Sequence, residues 1–315
     1  MKELKLCVFS DFHYWPGSYP GTKEGLKEIV RDAHEHQVDC MVHCGDFVHT
    51  GDASADFINL YHHNEWNIPA YGCIGNHETE EIDDFSSVLE AYGMKNEYEY
   101  HDINGFRLIM LDTNYYRDPK GVYHHNPPRS HSAPYKPANC LPPKELEWLR
   151  NVIMNSPNPC ILCSHASFEQ DCGCPQAKSV RDMIAEANDK KHGQVLMCLN
   201  GHYHRNSIVS QNGVVYFDIN AVYNGHWEWQ EHHGYPEEYA KRARLIPHIF
   251  LFQQPLHAFI HIFENGEIDI QGMEGSYVYG VTPESQGVDT TNVFGRKCEP
   301  RISSFHQDAV WKDIL

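Results

Sequence analysis

The sequence predicts a mixed α/β fold with two sheets. In its first two thirds, apolar runs typical of buried strands alternate with segments whose apolar residues recur at helical spacing. This alternation is typical of α/β proteins. Two Asn-Gly pairs, at residues 104–105 and 265–266, stand between strand-like runs and predict β-hairpins. Two sheets packed face to face, with helices outside, accommodate both patterns.

The individual helices and strands are predicted from the spacing of apolar residues and from the residues that end each element. In the helix predicted at residues 23–37, Leu26 and Ile29 lie on one apolar face. The helix predicted at residues 81–92 ends before Gly93, because glycine readily takes the left-handed conformation that follows a helix. Further helices are expected at residues 53–65, 144–154 and 179–187. Strands are expected at residues 4–10, 38–44, 69–74, 98–102, 106–112, 160–163, 195–199, 214–219, 258–263 and 267–271.

No linker-like composition divides the chain, so we expect residues 1–315 to form a single domain. Residues 114–143 are rich in Pro, His, Tyr and Asn and predict a long loop. Loops of this length in compact domains are usually functional or disordered. We expect a C-terminal extension of about residues 223–315 to add strands to the second sheet.

The composition argues against several classes of protein. The 315-residue chain has 25 Lys and Arg against 43 Asp and Glu, a formal net charge of −18. A broad nucleic-acid footprint and an anionic membrane surface both require a basic face, so neither partner is expected. An apolar share of 41% excludes wholesale disorder. The chain contains no apolar run of about 18 residues and no secretory signal at its start, and its 11 cysteines suit reduced thiols; we therefore expect a cytoplasmic protein.

Histidine is frequent, with 23 residues, and it is both a common metal ligand and the usual acid or base near neutral pH. Polar residues that can carry chemistry follow five predicted strands. They are Asp11 and His13, Asp46, Asn76 and His77, His165, and His202 and His204. In α/β sheets, ligands bind beyond the carboxyl ends of the strands. Gathering so many buried polar groups there is costly unless a partner satisfies them, which predicts a metal centre.

The spacing and the types of the candidate ligands limit which metal ions are expected. Asp11 and His13 are two residues apart, so they share one face of an extended segment, and His202 and His204 repeat this arrangement. A donor set that mixes oxygen and nitrogen favours Mn, Fe or Zn over Ca, which prefers oxygen alone.

Five short blocks together resemble the signature of the calcineurin-like metallophosphoesterases. The blocks are Asp11-x-His13, Gly45-Asp46, Gly75-Asn76-His77-Glu78, His165 and Gly201-His202-x-His204. They occur in the family's order over about residues 4–220, each after a predicted strand. The resemblance implies a four-layer α/β/β/α sandwich with two mixed sheets and a centre of two divalent metals.

The resemblance also implies a role for each residue. Asp11, His13, Asp46 and His204 would hold one metal, and Asp46, Asn76, His165 and His202 would hold the other. Asp46 would bridge the metals, since a carboxylate has two oxygens to share. A hydroxide bridging the metals would be the nucleophile. Asn76 and His77 would contact the phosphate, and His77 would protonate the leaving alkoxide.

The chain departs from the family pattern just after Asp46. Many members carry a second Asp three residues later, which orients the catalytic His, but this chain has His49 there. Asp52 is a candidate replacement, so the orienting partner of His77 stays open. The Arg-Gly pair of Ser/Thr protein phosphatases is replaced by Thr50-Gly51, which disfavours that activity.

We expect hydrolysis of a P–O bond in a small phosphoester or a nucleotide-type phosphodiester. Monoester, cyclic diester and pyrophosphate substrates stay open as alternatives. Tyr115 and His124, in the segment at residues 114–143, are candidate substrate contacts, as are His125 and His131. Two other functions remain open: a metal-free protein-interaction module on the same fold, and a nuclease.

Overall fold

The computed structural model describes residues 1–14, 21–49, 54–80, 85–127, 129–169, 173–227, 231–291 and 295–311. Its helices are α1 (Thr22–Glu35), α2 (Ala55–His62), α3 (Ser86–Ala91), α4 (Pro143–Met154), α5 (Ala177–Lys190) and α6 (Glu237–Ala240). Its strands are β1 (Glu3–Phe9), β2 (Cys40–Cys44), β3 (Ala70–Cys73), β4 (Glu99–Ile103), β5 (Phe106–Met110), β6 (Tyr115–Arg117), β7 (Tyr123–His125), β8 (Cys160–Cys163), β9 (Val195–Asn200), β10 (Ser207–Gln211), β11 (Val214–Asp218), β12 (Asn224–Trp227), β13 (Ile249–Leu251), β14 (Ala258–Phe263), β15 (Ile268–Gln271), β16 (Met273–Glu274), β17 (Arg301–Ile302) and β18 (Phe305–Gln307).

The first sheet has six strands in the order β18-β15-β14-β1-β2-β3. Strands β1, β2 and β3 are parallel, and β14 pairs antiparallel with β1, with Leu6 opposite Ile260. The C-terminal strands β14, β15 and β18 therefore extend the sheet that holds β1, and not the second sheet as the sequence analysis expects. The reason is that β14 supplies backbone hydrogen bonds along the edge of β1 that β2 does not occupy.

The second sheet also has six strands, in the order β10-β11-β9-β8-β5-β4. Strands β5, β8, β9 and β11 are parallel, and β4 joins β5 as an antiparallel hairpin. At the turn of this hairpin, Asn104 and Gly105 have φ angles of 48° and 81°. Positive φ at both central residues is the requirement of a type I′ turn, so the predicted hairpin is confirmed.

Strand β1 shows how the layers form, because it is buried on both faces. Leu6 and Val8 pack with Leu108 of β5 in an apolar core between the two sheets. Phe9 points the other way, into a core that includes Leu26 of α1. A third core lies between the second sheet and helices α4 and α5. The order helix, sheet, sheet, helix is the four-layer sandwich that the sequence predicts.

The main differences from the predicted elements lie at helix ends and in loops. Helix α2 is shorter than predicted, and α3 begins only at Ser86, with residues 81–84 outside the described part of the chain. The segment at residues 114–143 is not loop throughout, because it contains the β6–β7 hairpin. Within the described residues, no helix combines the length and apolar character needed to cross a membrane.

Candidate metal centre

The predicted ligands lie where five parallel strands end. Strands β1, β2 and β3 of the first sheet and β8 and β9 of the second each run directly into one of the sequence blocks. Backbone hydrogen bonds tie the following turns together: Asp11 N–H donates to the carbonyl of Gly45 at 3.0 Å, and Gly201 N–H donates to that of His165 at 2.9 Å. The two sheets therefore bring their carboxyl ends to one shared rim.

The turns at this rim hold an unusual backbone conformation. Five of the predicted ligands have a left-handed backbone, with positive φ: Asp11, His13, Asp46, His202 and His204. Each such non-glycine residue costs roughly 1–3 kcal/mol, and such strain clusters at functional sites because surrounding structure enforces it. Gly45 is required for the same reason, since it has φ +87° and an added Cβ would lie 2.6 Å from Nδ1 of His165.

Glu78 is the clamp that fixes two of these turns. Its fully buried carboxylate accepts backbone N–H groups from Asp46 at 3.1 Å, Phe47 at 2.6 Å and Gly75 at 2.8 Å. Burial, with the nearby charge of Asp46, raises the pKa of Glu78 to about 7. Glu78 belongs to a sequence block but has no predicted role; its contacts show that it fixes the turns at Asp46 and at Gly75.

The first group of predicted ligand atoms comes from Asp11, His13 and His204. Nε2 of His204 lies 3.2 Å from Oδ1 of Asp11 and 3.1 Å from Nε2 of His13. Nε2 of His13 lies 3.8 Å from Oδ1 of Asp11 and also 3.8 Å from Oδ2 of Asp46. Asp11 is fully buried, and its Oδ2 accepts hydrogen bonds from Ser10 Oγ and from the backbone N–H of His202.

The second group comes from Asp46, Asn76, His165 and His202. Nε2 of His165 lies 3.1 Å from Oδ2 of Asp46, 3.1 Å from Nδ1 of His202 and 3.2 Å from Oδ1 of Asn76. Oδ2 of Asp46 thus faces both groups, while its Oδ1 accepts the backbone N–H of His77 at 2.8 Å. The sequence analysis expects both oxygens of Asp46 to be shared, but here a single oxygen stands between the groups.

Most of the distances within the two groups fit the edges of a coordination shell, while Nε2 of His13 lies farther, at 3.8 Å, from Oδ1 of Asp11 and from Oδ2 of Asp46. When nitrogen or oxygen ligands bind at about 2.0–2.2 Å, adjacent ligands are about 3.0–3.4 Å apart. Ring nitrogens that face each other at 3.1 Å have this spacing, as do the nitrogen–oxygen pairs at 3.1–3.2 Å. Two divalent metals therefore fit the residues present, with Asp46 between them.

In two of the predicted ligand rings, the opposite nitrogen is hydrogen-bonded so that Nε2 is the nitrogen available to a metal. Nδ1 of His165 lies 2.7 Å from the carbonyl oxygen of Cys44, and Nδ1 of His204 lies 3.0 Å from that of Gly225. A carbonyl can only accept, so in both rings Nδ1 carries the proton and Nε2 is free to bind a metal.

The pKa values describe the same rim without its cations. Burial alone would lower the pKa of His165, but the Asp46 carboxylate raises it to about 10. Burial and the nearby His165 lower the pKa of His202 to about 4. The Asp46 carboxylate therefore favours positive charge at His165, and a bound metal would supply that charge in place of a proton.

His77 lies at the edge of the ligand groups. Its ring is 4.7 Å from that of His13, centroid to centroid, and it stacks at 4.9 Å on the ring of His131. Nδ1 of His77 lies 3.2 Å from Oε2 of Glu80. Sequence reasoning missed Glu80 and considered Asp52, which lies outside the described residues.

The segment at residues 114–143 reaches this rim through its second half. The side chain of Asn76 donates to the carbonyl of His131 at 3.1 Å, and the Asn139 amide lies 3.2 Å from Nε2 of His202. Tyr115 and His124 are placed elsewhere, in the β6–β7 hairpin, where Tyr115 donates to Glu97 at 2.6 Å and His124 pairs with Asp118. The structure therefore brings His131 and Asn139 to the predicted ligands.

A two-sheet sandwich with this donor set at its rim defines a metal-dependent hydrolase. The family model of the calcineurin-like phosphoesterases matches residues 4–206, more than half of the chain, and the chain belongs to this family. It is accordingly a metal-dependent phosphoric ester hydrolase.

Solved structures show the same fold. A dimetal phosphatase from Danio rerio aligns with a TM-score of 0.57 at 14% sequence identity, over 89% of this chain and 97% of that one. GAP50, the anchor in the inner membrane complex of Plasmodium, aligns with a TM-score of 0.54 at 13% identity, over 88% of this chain and 85% of that one. A search of the curated proteins finds no match to this chain.

Proposed function

We propose that this chain hydrolyses a P–O bond in a small phosphorylated substrate, with two divalent metals held at the rim. The observation that carries the proposal is that two groups of ligand atoms, most of them spaced as in a coordination shell, converge on Oδ2 of Asp46. The proposed ligands are Asp11, His13, Asp46, Asn76, His165, His202 and His204. Mixed nitrogen and oxygen donors favour Mn, Fe or Zn.

When bound, the two metals would activate water and neutralise charge on the phosphate. The protein's own side chains would hold and orient the reacting groups. His77 borders the ligand groups with Nδ1 turned to Glu80, which leaves Nε2 to donate a proton to the leaving alkoxide. Asn76, at the same turn, donates one amide N–H to the carbonyl of His131 and would contact the phosphate through the other.

The surroundings of the rim support a small substrate, either a phosphoester or a nucleotide-type diester. Residues from the 114–143 segment border the rim at His131 and Asn139. The net charge of −18 disfavours a long polyanion. We expect the substrate to present a single phosphate group to the metals.

A substrate panel would test this proposal. Purified protein would be assayed with phosphomonoesters, linear and cyclic phosphodiesters, a pyrophosphate and single-stranded DNA, each with Mn²⁺, Fe²⁺ and Zn²⁺. We expect metal-dependent turnover of at least one small ester that the Asp46→Asn variant lacks. Preferred cleavage of DNA would favour a nuclease. Fewer than one bound metal per chain, with no activation by Mn²⁺, would favour an interaction module.

A further inference from the structure

Glu80 stands one turn of 3₁₀-helix after His77. The short helix spans His77–Thr79, and Glu80 follows it directly. In a 3₁₀-helix the side chains at i and i+3 eclipse, so this backbone sets the carboxylate of Glu80 beside the ring of His77. Oε2 of Glu80 lies 3.2 Å from Nδ1 of His77. This is the distance of an ion pair.

Two further histidines converge on the same carboxylate. Nδ1 of His131 lies 2.5 Å from Oε1 of Glu80, and Nδ1 of His49 pairs with Oε2. Oε2 contacts both His49 and His77; the contact to His77 is the longer one, and it has the distance of an ion pair without the geometry of a hydrogen bond. We call these four residues the Glu80 cluster: His49, His77, Glu80 and His131.

A third metal does not explain the Glu80 cluster. Ligands of one metal, bound at about 2.0–2.2 Å, lie about 3 Å or more apart. Nδ1 of His131 and Oε1 of Glu80 are 2.5 Å apart, closer than two separate ligands of one metal can lie, so the two groups share a proton in a hydrogen bond and do not share a cation. Burial alone would raise the pKa of Glu80, but its hydrogen bonds with the histidines hold it below the usual range. The cluster is therefore built around an anion.

We propose that Glu80 is the positioning residue of His77. Its carboxylate holds the proton on Nδ1 of His77, fixes the ring, and leaves Nε2 directed to the leaving group. His49 and His131 hold Glu80 in place from both oxygens. This inference rests on the proposed function, because it assigns Glu80 a task in the proton transfer of that reaction.

The variant that tests the inference is Glu80→Gln, assayed at saturating metal on two esters of the accepted phosphate class. One ester has a good leaving group, 4-nitrophenol, and the other a poorer one, phenol. We expect kcat to fall about 10–100-fold for the phenyl ester and much less for the 4-nitrophenyl ester, since only the poor leaving group needs the proton. Bound metal should be unchanged.

Two variants separate positioning from a general loss of structure. Glu99→Gln is the matched control, because Glu99 pairs with His101 at 3.0 Å in strand β4. It should leave both esters unaffected. The ring of His49 lies 4.7 Å from that of His77, so a carboxylate at position 49 can face the same ring. Adding His49→Asp to Glu80→Gln should therefore recover most of the activity on the phenyl ester.

A measurement without turnover completes the test. In ¹⁵N NMR of the zinc-loaded protein, the His77 signal, assigned by its loss in His77→Asn, should show Nδ1 protonated in the wild type. Glu80→Ala should abolish that preference. Equal loss on both esters, loss of metal in Glu80→Gln, or an unchanged His77 signal in Glu80→Ala would overturn the inference. If the wild type hydrolyses no ester, the proposed function fails, while the NMR result still decides whether Glu80 holds His77.

Discussion

Two groups of histidines lie side by side in this protein, and we propose that they are organised around opposite charges. Around Asp46, ring nitrogens face one another at 3.1 Å, as they do when a cation lies between them. In the Glu80 cluster, three rings turn Nδ1 toward one carboxylate, with one contact as short as 2.5 Å. The charge at the centre, and not the number of histidines, therefore separates the roles that we propose for the two groups.

One of the contacts between the two groups joins His13 to His49. Nδ1 of His13 lies 3.2 Å from Nε2 of His49, whose Nδ1 pairs with Glu80. His49 therefore belongs to the Glu80 cluster while orienting a predicted ligand of the other group. Outer partners of this kind fix the tautomer and direction of a ligating ring. Substitutions that change one group and leave the other intact can separate the functions of the two groups.

Asp46→Asn should have the largest effect, because it removes the charge that both ligand groups share. We expect it to abolish turnover and to deplete bound metal, measured by elemental analysis of the purified protein. The Glu80 cluster should stay intact, so the His77 NMR signal should match that of the wild type under the same metal-free conditions. Retention of both metal and activity would remove Asp46 from the centre.

His77→Asn changes the Glu80 cluster at the residue that we propose as the proton donor. We expect kcat for the phenyl ester to fall by about 10²–10⁴-fold, the usual contribution of a general acid, with a smaller fall for the 4-nitrophenyl ester. Bound metal should stay at the wild-type level. A fall in metal content would instead make His77 a ligand.

Asn139→Gly tests the proposed metal ligands without changing the Glu80 cluster. The Asn139 amide lies 3.2 Å from Nε2 of His202, and Asn139 has φ 56°, which glycine adopts without strain. We expect metal affinity to fall about 10-fold, measured by competition with a chelator, because His202 loses an outer partner. The ratio of kcat values for the two esters should not change. A changed ratio would link Asn139 to His77.

His131→Asn should have the smallest effect, because it removes one of the three partners of Glu80. We expect a fall of a few-fold, roughly 2- to 5-fold, in kcat for the phenyl ester, comparable to the loss of one exposed charged hydrogen bond. His124→Asn is the matched control, since His124 pairs with Asp118 at 3.1 Å in the β6–β7 hairpin. If the two variants behave alike, His131 does not support Glu80.

Much of the fold and most of the proposed ligand set follow from the sequence for one physical reason. Each block directly follows a strand, and parallel strands end at a common edge, so local pattern alone places each block at the edge of a sheet. That Asp11 meets His204 depends also on how the two sheets pack, which the resemblance to the family implies. The Asn104-Gly105 turn is equally local, because positive φ at both positions is a property of these residue types.

The Glu80 cluster could not be predicted in this way. Its members come from separate turns, and no shared periodicity relates His49, Glu80 and His131. The i, i+3 spacing of His77 and Glu80 is the one local signal, and it becomes informative only when the turn is known to be 3₁₀. The pairing of β14 with β1 is likewise a long-range contact, because it depends on which edge of β1 remains unpaired in the folded sheet.

The most direct test of the two-metal claim is a crystal structure of the metal-loaded protein with anomalous scattering. We predict two peaks on either side of Oδ2 of Asp46, about 3.5–4 Å apart. One should lie among Asp11, His13 and His204, and the other among Asn76, His165 and His202. No peak should lie within the Glu80 cluster. An absence of peaks beside Asp46, or a peak bound by Glu80 and His131, would contradict the account.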